Sequence, residues 1–441
     1  MPTIKINKKI KGLLKKDAEL IFTSTREPYP FFADRISGDF AYDIAGNKFI
    51  DFATFISVYS FGDECLRSVK KAIKAQVDKL MHAAFQDFYA EQPVVLAEKL
   101  ISFMPDGFGR VFFSNSGTEA NEDAIKIARS TTRRPYFLSF YNSFHGRSLG
   151  SLGLTSSKVV QRAHLGPFTG FFHAVYPNPY RCPFNSDHEE CANACLDYIE
   201  DYIFKKEAAP DEFAGIFIEP VQGEGGYIVP PKEFMLGLRK LADEYGILLI
   251  DDEVQAGMMR TGKFLALDNF GVKADIYTFA KAFGGGLPLG ATVAKRSLGD
   301  VPEGIHGGTF GGNLAAVAAS NAVLDYIKAH KTELERAVQE KHSLIMKRLE
   351  EMKADYEIVG DVRGLGLMLA IEFVKDKESK TEAVKERNEI LKECFYNGLL
   401  LLPVGVSAIR IIPPLTISGE TLEKGLDILE AAIRKQSNEP R

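Results

Sequence analysis

Through the middle of this 441-residue chain, short apolar runs alternate with stretches of helical periodicity, and that alternation limits the fold more than any other feature. Val111-Phe112-Phe113, residues 136–140, Ile216-Phe217-Ile218, and residues 247–250 and 276–279 each have the length and residue types of a buried strand. Between them Ala120, Ala124, Ile127 and Ala128 recur at helical spacing, as do Phe234, Leu238, Leu241 and Ala242. Strands separated by helices predict an α/β fold around a mostly parallel sheet, because a parallel crossover needs a connection long enough to hold a helix. Ligands of such sheets bind outside the carboxyl ends of the strands, which is where the polar residues of interest fall.

The two ends of the chain read differently. Residues 40–52 predict a hairpin turning at Ala45-Gly46-Asn47. After Gly307-Gly308, residues 314–329 predict a long helix that leads into a charged helical region. Strand-like runs follow at 365–373, 399–402 and 408–412. We therefore expect a large domain at residues 58–329 and a smaller α+β domain formed by residues 1–57 and 330–441.

Length and charge narrow the function classes. A chain of this size can bury two cores without staples. A net charge of -5 produces no field that would gather nucleic acid or an anionic membrane. No apolar run is long enough to span a bilayer. Six lysines precede residue 17, but Leu13-Leu14 is too short an apolar region for a signal peptide. Ile6, Ile10, Leu13 and Leu14 instead suggest one face of an amphipathic arm packed on its own protein, and a cytoplasmic location is expected. The five cysteines (Cys65, Cys182, Cys191, Cys195 and Cys394) do not form a secreted disulfide framework. Cys182, His188, Cys191 and Cys195 raise a zinc site, but their spacing matches no common finger or ribbon. No metal is expected, and a structural loop with a redox-sensitive thiol pair is the preferred reading.

Three segments carry chemistry. Ser114-Asn115-Ser116-Gly117-Thr118-Glu119 puts a small hydroxylated turn between a strand and a helix, where free N–H groups suit a phosphate. Simple helix capping by Ser116 or Thr118 explains the same residues. Asp251-Asp252-Glu253 ends a core strand, and carboxylates there need a cationic or hydrogen-bonding partner, although a structural acid would also fit. Lys281 follows Thr278-Phe279-Ala280 and precedes Gly284-Gly285-Gly286. A lysine among apolar neighbours is costly to bury unless it is paired or used covalently. A snorkelled stem has little room here. The glycines do not form a dinucleotide fingerprint, which argues against nicotinamide binding.

Taken together, these segments resemble the class III, or ω-amino, aminotransferases, pyridoxal-phosphate enzymes of fold type I similar to 4-aminobutyrate and ornithine aminotransferases. The resemblance covers residues 29–415. It rests on Ser116-Gly117-Thr118-Glu119-Ala120-Asn121, Phe144-His145-Gly146-Arg147, Glu219-Pro220-Val221-Gln222-Gly223-Glu224, Asp252-Glu253-Val254-Gln255, Lys281-Ala282 and Thr309-Phe310-Gly311-Gly312-Asn313, in the family's order and intervals. It implies a large domain with a mostly parallel seven-stranded sheet and pyridoxal 5'-phosphate held by Lys281 as a Schiff base. Asp252 would pair with the pyridine nitrogen and Gln255 with the ring hydroxyl. Val254 and Phe144 would sandwich the ring, and Ser116, Gly117 and Thr118 would bind the phosphate. Thr309 would reach the phosphate of a neighbouring subunit, which implies a homodimer or higher homo-oligomer.

For the substrate, the resemblance implies that Arg410 takes the α-carboxylate, that Glu224 pairs with this arginine when an ω-amino donor is bound, and that Arg147 holds a distal carboxylate. An arginine fork suits a carboxylate because it binds in bidentate fashion. Ile56 would line the pocket. Departures from the family pattern cluster nearby: Phe55 replaces a glycine, Gly62-Asp63-Glu64-Cys65-Leu66 replaces a histidine-containing segment, and Ala256 and Met258-Met259 are unusual. The expected reaction moves an amino group from an ω-amino or α-amino acid, such as 4-aminobutyrate or ornithine, to a 2-oxo acid, 2-oxoglutarate first among them. Racemisation or epimerisation of an amino acid on the same scaffold is the alternative. A non-catalytic scaffold is disfavoured by intact Lys281, Asp252 and Gln255.

Overall fold

A computed structural model describes residues 4–22, 29–186 and 188–437, with the backbone alone at residue 188. The chain divides into two compact units, residues 65–335 and residues 1–64 with 336–441.

The smaller unit opens with the helix Lys8–Leu20, capped by the Asn7 side chain accepting the Ile10 N–H at 3.0 Å. Of its proposed apolar face, Ile10 is fully buried and Leu14 is exposed. Strands β1 (Ala33–Ser37), β2 (Phe40–Asp43) and β3 (Lys48–Asp51) form an antiparallel meander. The β2–β3 hairpin turns where expected, with Gly46 at φ 81°.

The larger unit holds a seven-stranded sheet. Its strands are β4 (Phe108–Ser114), β5 (Tyr136–Phe140), β6 (Phe171–Ala174), β7 (Phe213–Ile218), β8 (Leu248–Asp252), β9 (Ile276–Phe279) and β10 (Gly290–Lys295). They lie in the order β4-β10-β9-β8-β7-β5-β6, parallel except that β10 runs antiparallel to both its neighbours. The apolar-run reading does not single out β10, because Gly290, Ala291, Thr292 and Ala294 are small and carry little pattern. Pairing on both edges makes it a strand. β7 is buried along its whole length, as a central parallel strand covered on both faces must be. The helix Gly117–Thr132 packs Ala124, Ile125 and Ala128 onto Phe137, Phe217, Ile250 and Ile276. Each large side chain so buried stabilises the fold by about 1.5–3 kcal/mol.

The predicted helix 314–329 is longer than its periodicity suggested, running Leu314–Asp355 with a non-helical residue at His330 (φ -117°). The boundary between the units falls within it. Beyond it, the single predicted run 365–373 is the end of β11 (Val359–Leu365) and all of β12 (Met368–Phe373), broken at Gly366, whose φ is 57°. Residues 399–402 likewise split between β13 (Leu399–Leu400), parallel to β3, and β14 (Leu402–Val404). β14 joins β15 (Ala408–Ile411) in the antiparallel sheet β11-β12-β15-β14.

Cys182 and Cys191 form a disulfide, while Cys65, Cys195 and Cys394 are buried. Burial pushes the Cys195 thiol up to about 12. The His188 side chain lies outside the described residues, and among those described no group of three or more His, Cys, Asp or Glu is arranged to hold a metal. No helix among the described residues is long and apolar enough to cross a membrane.

Candidate active site

In the larger unit, the turn after β4 meets the segments that leave β8 and β9. A Cβ on Gly117 would lie 2.8 and 3.0 Å from the two Cγ atoms of Val254 and 3.5 Å from Cβ of Ala280. The phosphate-type turn, the strand-end carboxylates and the residue before Lys281 therefore converge at a point where any side chain would clash. Glycine is required there for close approach rather than for an unusual φ.

The turn's hydroxyls have partners within the protein. Ser116 caps the helix, its Oγ accepting the Glu119 N–H at 3.3 Å. The Thr118 Oγ1 accepts the N–H groups of Arg147 and Ser148, each at 3.2 Å, and lies 2.8 Å from the Ser148 Oγ. What the turn offers an anion is therefore chiefly backbone. The N–H groups of Gly117 and Thr118 have no carbonyl in their own helix, and they point along the positive end of its dipole. A phosphate fits this donor set.

Asp252 is held by residues distant in sequence. Its Oδ2 accepts the Asn121 Nδ2 and lies beside the His145 Nδ1, each at 2.8 Å, and its Oδ1 accepts the Val254 N–H at 3.1 Å. Asn121 is oriented in turn, donating to the His145 carbonyl at 2.7 Å and accepting the Thr278 hydroxyl at 2.9 Å. A carboxylate only accepts, so the His145 Nδ1 carries a hydrogen. Burial draws the His145 pKa down, but the hydrogen bond and charge of Asp252, with the charge of Glu219, outweigh it and raise the pKa. The carboxylate thus faces a cation-favouring imidazole on one side, and its position at the strand end suits a protonated ring nitrogen.

Asp252 is in register with Thr278 across the β8–β9 pair, and Lys281 lies three residues beyond Thr278. Lys281 is half-buried and adopts φ 50°, a left-handed conformation that disfavours any side chain with a Cβ. Such strain on a lysine persists only where the surroundings impose it. Here β9 and β10 flank the segment, and the turn bonds Phe283 N–H to Ala280 O and Gly285 N–H to Ala282 O hold it, each at 3.0 Å. The Gln255 Oε1 accepts the Tyr227 hydroxyl at 2.8 Å, which fixes the amide and leaves its Nε2 as the donor end.

Phe144 is anchored by its N–H, which donates to Glu219 at 3.0 Å. Arg147 is exposed, with its guanidinium 5.6 Å from the Phe144 ring centroid. Glu224 is half-buried and lies 3.8 Å from the Lys158 Nζ. Thr309 is exposed in the turn that precedes the long helix. In the smaller unit, Arg410 on β15 is buried and its Nε donates to the Pro403 carbonyl at 3.0 Å. Ile56 is exposed at φ 62°, inside a left-handed turn.

The structure adds Asn121, His145, Thr278 and Tyr227 to the residues read from the sequence. Asn121 and His145 lie inside the recognised segments, but nothing local marks them as partners of Asp252.

The family model described as Aminotransferase class-III matches residues 21–433. A leucine/methionine racemase from Thermococcus litoralis is 38% identical over 423 residues, covering 96% of this chain and 95% of the racemase. The 4-aminobutyrate aminotransferase GabT of Escherichia coli is 36% identical, covering 95% and 97%. Among solved structures, taurine:2-oxoglutarate aminotransferase from Bifidobacterium kashiwanohense, in complex with PLP and glutamate, superposes with a TM-score of 0.90. It is 31% identical, and the match covers 99% of both chains.

Proposed function

We propose, from the premise that this chain belongs to the class III aminotransferases, that it moves an amino group from an ω-amino or α-amino acid, such as 4-aminobutyrate or ornithine, to 2-oxoglutarate. It has the fold, family and pyridoxal 5'-phosphate dependence of an aminotransferase. The observation that carries the reading is the convergence at Gly117. There the anion-binding turn meets Val254, two residues past the anchored Asp252, and Ala280, the neighbour of the strained Lys281.

When bound, the cofactor supplies an electron sink for the substrate carbon as its proton leaves. The side chains do the remaining work. The Lys281 Nζ would anchor the cofactor covalently and then carry the substrate proton as general base and acid. Asp252, oriented by Asn121 and His145, would hold a proton on the ring nitrogen. The Gln255 Nε2 would donate to the ring hydroxyl, and Val254 and Phe144 would fix the ring plane by contact on its two faces. The N–H groups of Gly117 and Thr118, with Ser116 at the cap, would bind the phosphate. Arg410 and Arg147 would take substrate carboxylates, Ile56 would line the pocket, and Glu224 would neutralise Arg410 when no α-carboxylate is present. Thr309 would complete the phosphate site of a neighbouring subunit, making a homodimer the smallest active form. A cytoplasmic location belongs to the same reading.

The test is a panel of amino donors with 2-oxoglutarate, following glutamate formation and the chirality of the donor. Glutamate appearing with an ω-amino donor supports the proposal. The similarity to a leucine/methionine racemase favours a second reading, in which the substrate carbon is reprotonated from the opposite face. Conversion of a D-amino acid to its L form, with no 2-oxo acid consumed, would establish that reading instead.

A further inference from the structure

Glu219 immediately follows β7 and has no role in the scheme above, yet it sits at the centre of the site's supporting bonds. It is buried, and its two carboxylate oxygens are used separately. Oε2 accepts the Phe144 N–H and Oε1 accepts the Gly223 N–H, each at 3.0 Å. One carboxylate thus ties the segment carrying Phe144 to the turn carrying Gly223 and Glu224. The turn has no slack: a Cβ on Gly223 would lie 2.4 Å from the Gln255 Nε2 and 3.4 Å from the Glu219 Oε1. The backbone of Glu219 is held as well, its carbonyl accepting the Tyr176 hydroxyl at 3.0 Å.

The same carboxylate faces charge. His145 uses Nδ1 on Asp252, while its Nε2 is buried without a hydrogen-bond partner. Glu219 and His145 each act on the other's proton affinity, and Asp252 acts on both. The Tyr176 phenol also neighbours Glu219, and its ionisation is opposed most by burial, with Glu219 and Asp251 adding to it. Burial pushes the Glu219 carboxyl up to about 7, against the opposing pull of His145. It therefore changes charge near neutral pH.

We infer that Glu219 is a positioning residue that clamps Phe144 to the Gly223–Glu224 turn and places a second buried acid near the His145–Asp252 pair. The inference rests on the proposed cofactor geometry. It adds one claim, that the substrate-side turn and the ring-side carboxylate are set by the same group.

The test compares wild-type holoenzyme with Glu219→Gln and Glu219→Asp. It reads the pH midpoint of the bound cofactor's absorbance from pH 6 to 9, and the kcat and KM for the best amino donor. Glutamine keeps the size, loses the charge and turns an N–H donor towards one of the two backbone donors. Its absorbance midpoint is expected to fall by about half a unit or more, because one negative charge that favours protonation is gone. KM is expected to rise about fivefold or more, as one of the two clamps is lost. Aspartate keeps the charge but is one methylene short, so its midpoint should stay near wild type while KM still rises. A folded Glu219→Gln enzyme with an unchanged midpoint overturns the inference, as does Glu219→Asp with an unchanged KM. If the glutamine variant does not fold, the aspartate variant decides alone. Wild-type protein that shows no cofactor absorbance responding to amino donors would instead defeat the underlying functional reading.

Discussion

Two regions of the molecule hold side chains in unfavourable states, and they do so by opposite means. At the strand ends of the larger unit the difficulty is buried charge, and hydrogen bonds meet it. Asp252 has partners on both oxygens, and Asn121 is itself fixed at both ends. In the smaller unit the difficulty is backbone strain. Thr54, Phe55, Ile56 and Ser57 all have positive φ, at 42°, 49°, 62° and 63°, with no glycine among them. A left-handed residue with a Cβ costs roughly 1–2 kcal/mol, so a full turn of them needs strong anchors. Asp51 supplies them through its Oδ1, which accepts the N–H groups of Ala53 and Thr54 at 2.8 Å each. The Thr54 hydroxyl adds a bond to the Ile412 carbonyl at 2.9 Å. Phe55 contributes an edge-on contact with Tyr59, with ring centroids 5.6 Å apart. The first region depends on matched polar partners and tolerates little substitution. The second depends on a few anchors and leaves the residues between them open to change.

Substitutions at four positions probe that contrast, in descending order of effect. Lys281→Ala is expected to abolish the lysine-linked cofactor absorbance and to lower turnover by more than about 10⁴-fold, since no other group can both anchor the cofactor and carry the proton. Full turnover in this variant would end the mechanism. Asp51→Ala removes two charge-assisted hydrogen bonds from the strained turn and is expected to destabilise the protein by about 3 kcal/mol in urea unfolding. Asp51→Asn retains an acceptor oxygen and is expected to cost less than half as much. Equal losses for the two would mean the turn is held by packing instead.

The third probe uses pH in the larger unit. His173 on β6 is held down to about 4, by burial first and then by the charge of Arg162, against 6.5 for a free imidazole. The unfolded chain therefore binds the extra proton between these values. Stability that is present above about 6.5 falls as the pH drops through 4, by about 3 kcal/mol at most. His173→Gln is expected to flatten this slope, and parallel unfolding curves at pH 4.5 and 7 for both proteins would refute the assignment. The smallest effect is expected from Phe55→Gly. Relief of left-handed strain is offset by lost ring contacts of about 0.5–1.5 kcal/mol and by the backbone entropy of glycine, so the Tm should barely move. If Phe55 narrows access to the substrate, KM for a bulky amino donor falls severalfold while that for a small one stays constant. Equal KM changes for both donors would remove Phe55 from any part in specificity.

Much of the site was legible in the chain because its key groups carry chemistry whatever surrounds them. Lys281 stands out as a lysine after an apolar strand, and Asp252 as a carboxylate at a core strand's end. The left-handed backbone at Lys281 was not visible, since nothing in Phe279-Ala280-Lys281-Ala282 favours positive φ. β10 is not legible in the chain because its small residues carry no pattern, and its identity comes from hydrogen bonds on both edges. The Thr118 hydroxyl illustrates the reverse case. It suits a phosphate by type, but the backbone of residues 147 and 148 engages it in the fold.

The sequence by itself determined which reactive groups the protein has, the order in which they follow buried strands, and the α/β class that puts them at the carboxyl ends of a sheet's strands. These depend on residue type and local periodicity, which the chain carries everywhere it goes. Only the tertiary structure decided who satisfies whom. Asp252 finds Asn121 131 positions away and His145 107 positions away. That pairing exists because β8 lies between β7 and β9 with the helix Gly117–Thr132 packed across them. A buried polar group must be matched by whatever the fold brings beside it, and strand order, which no local pattern encodes, determines what that is.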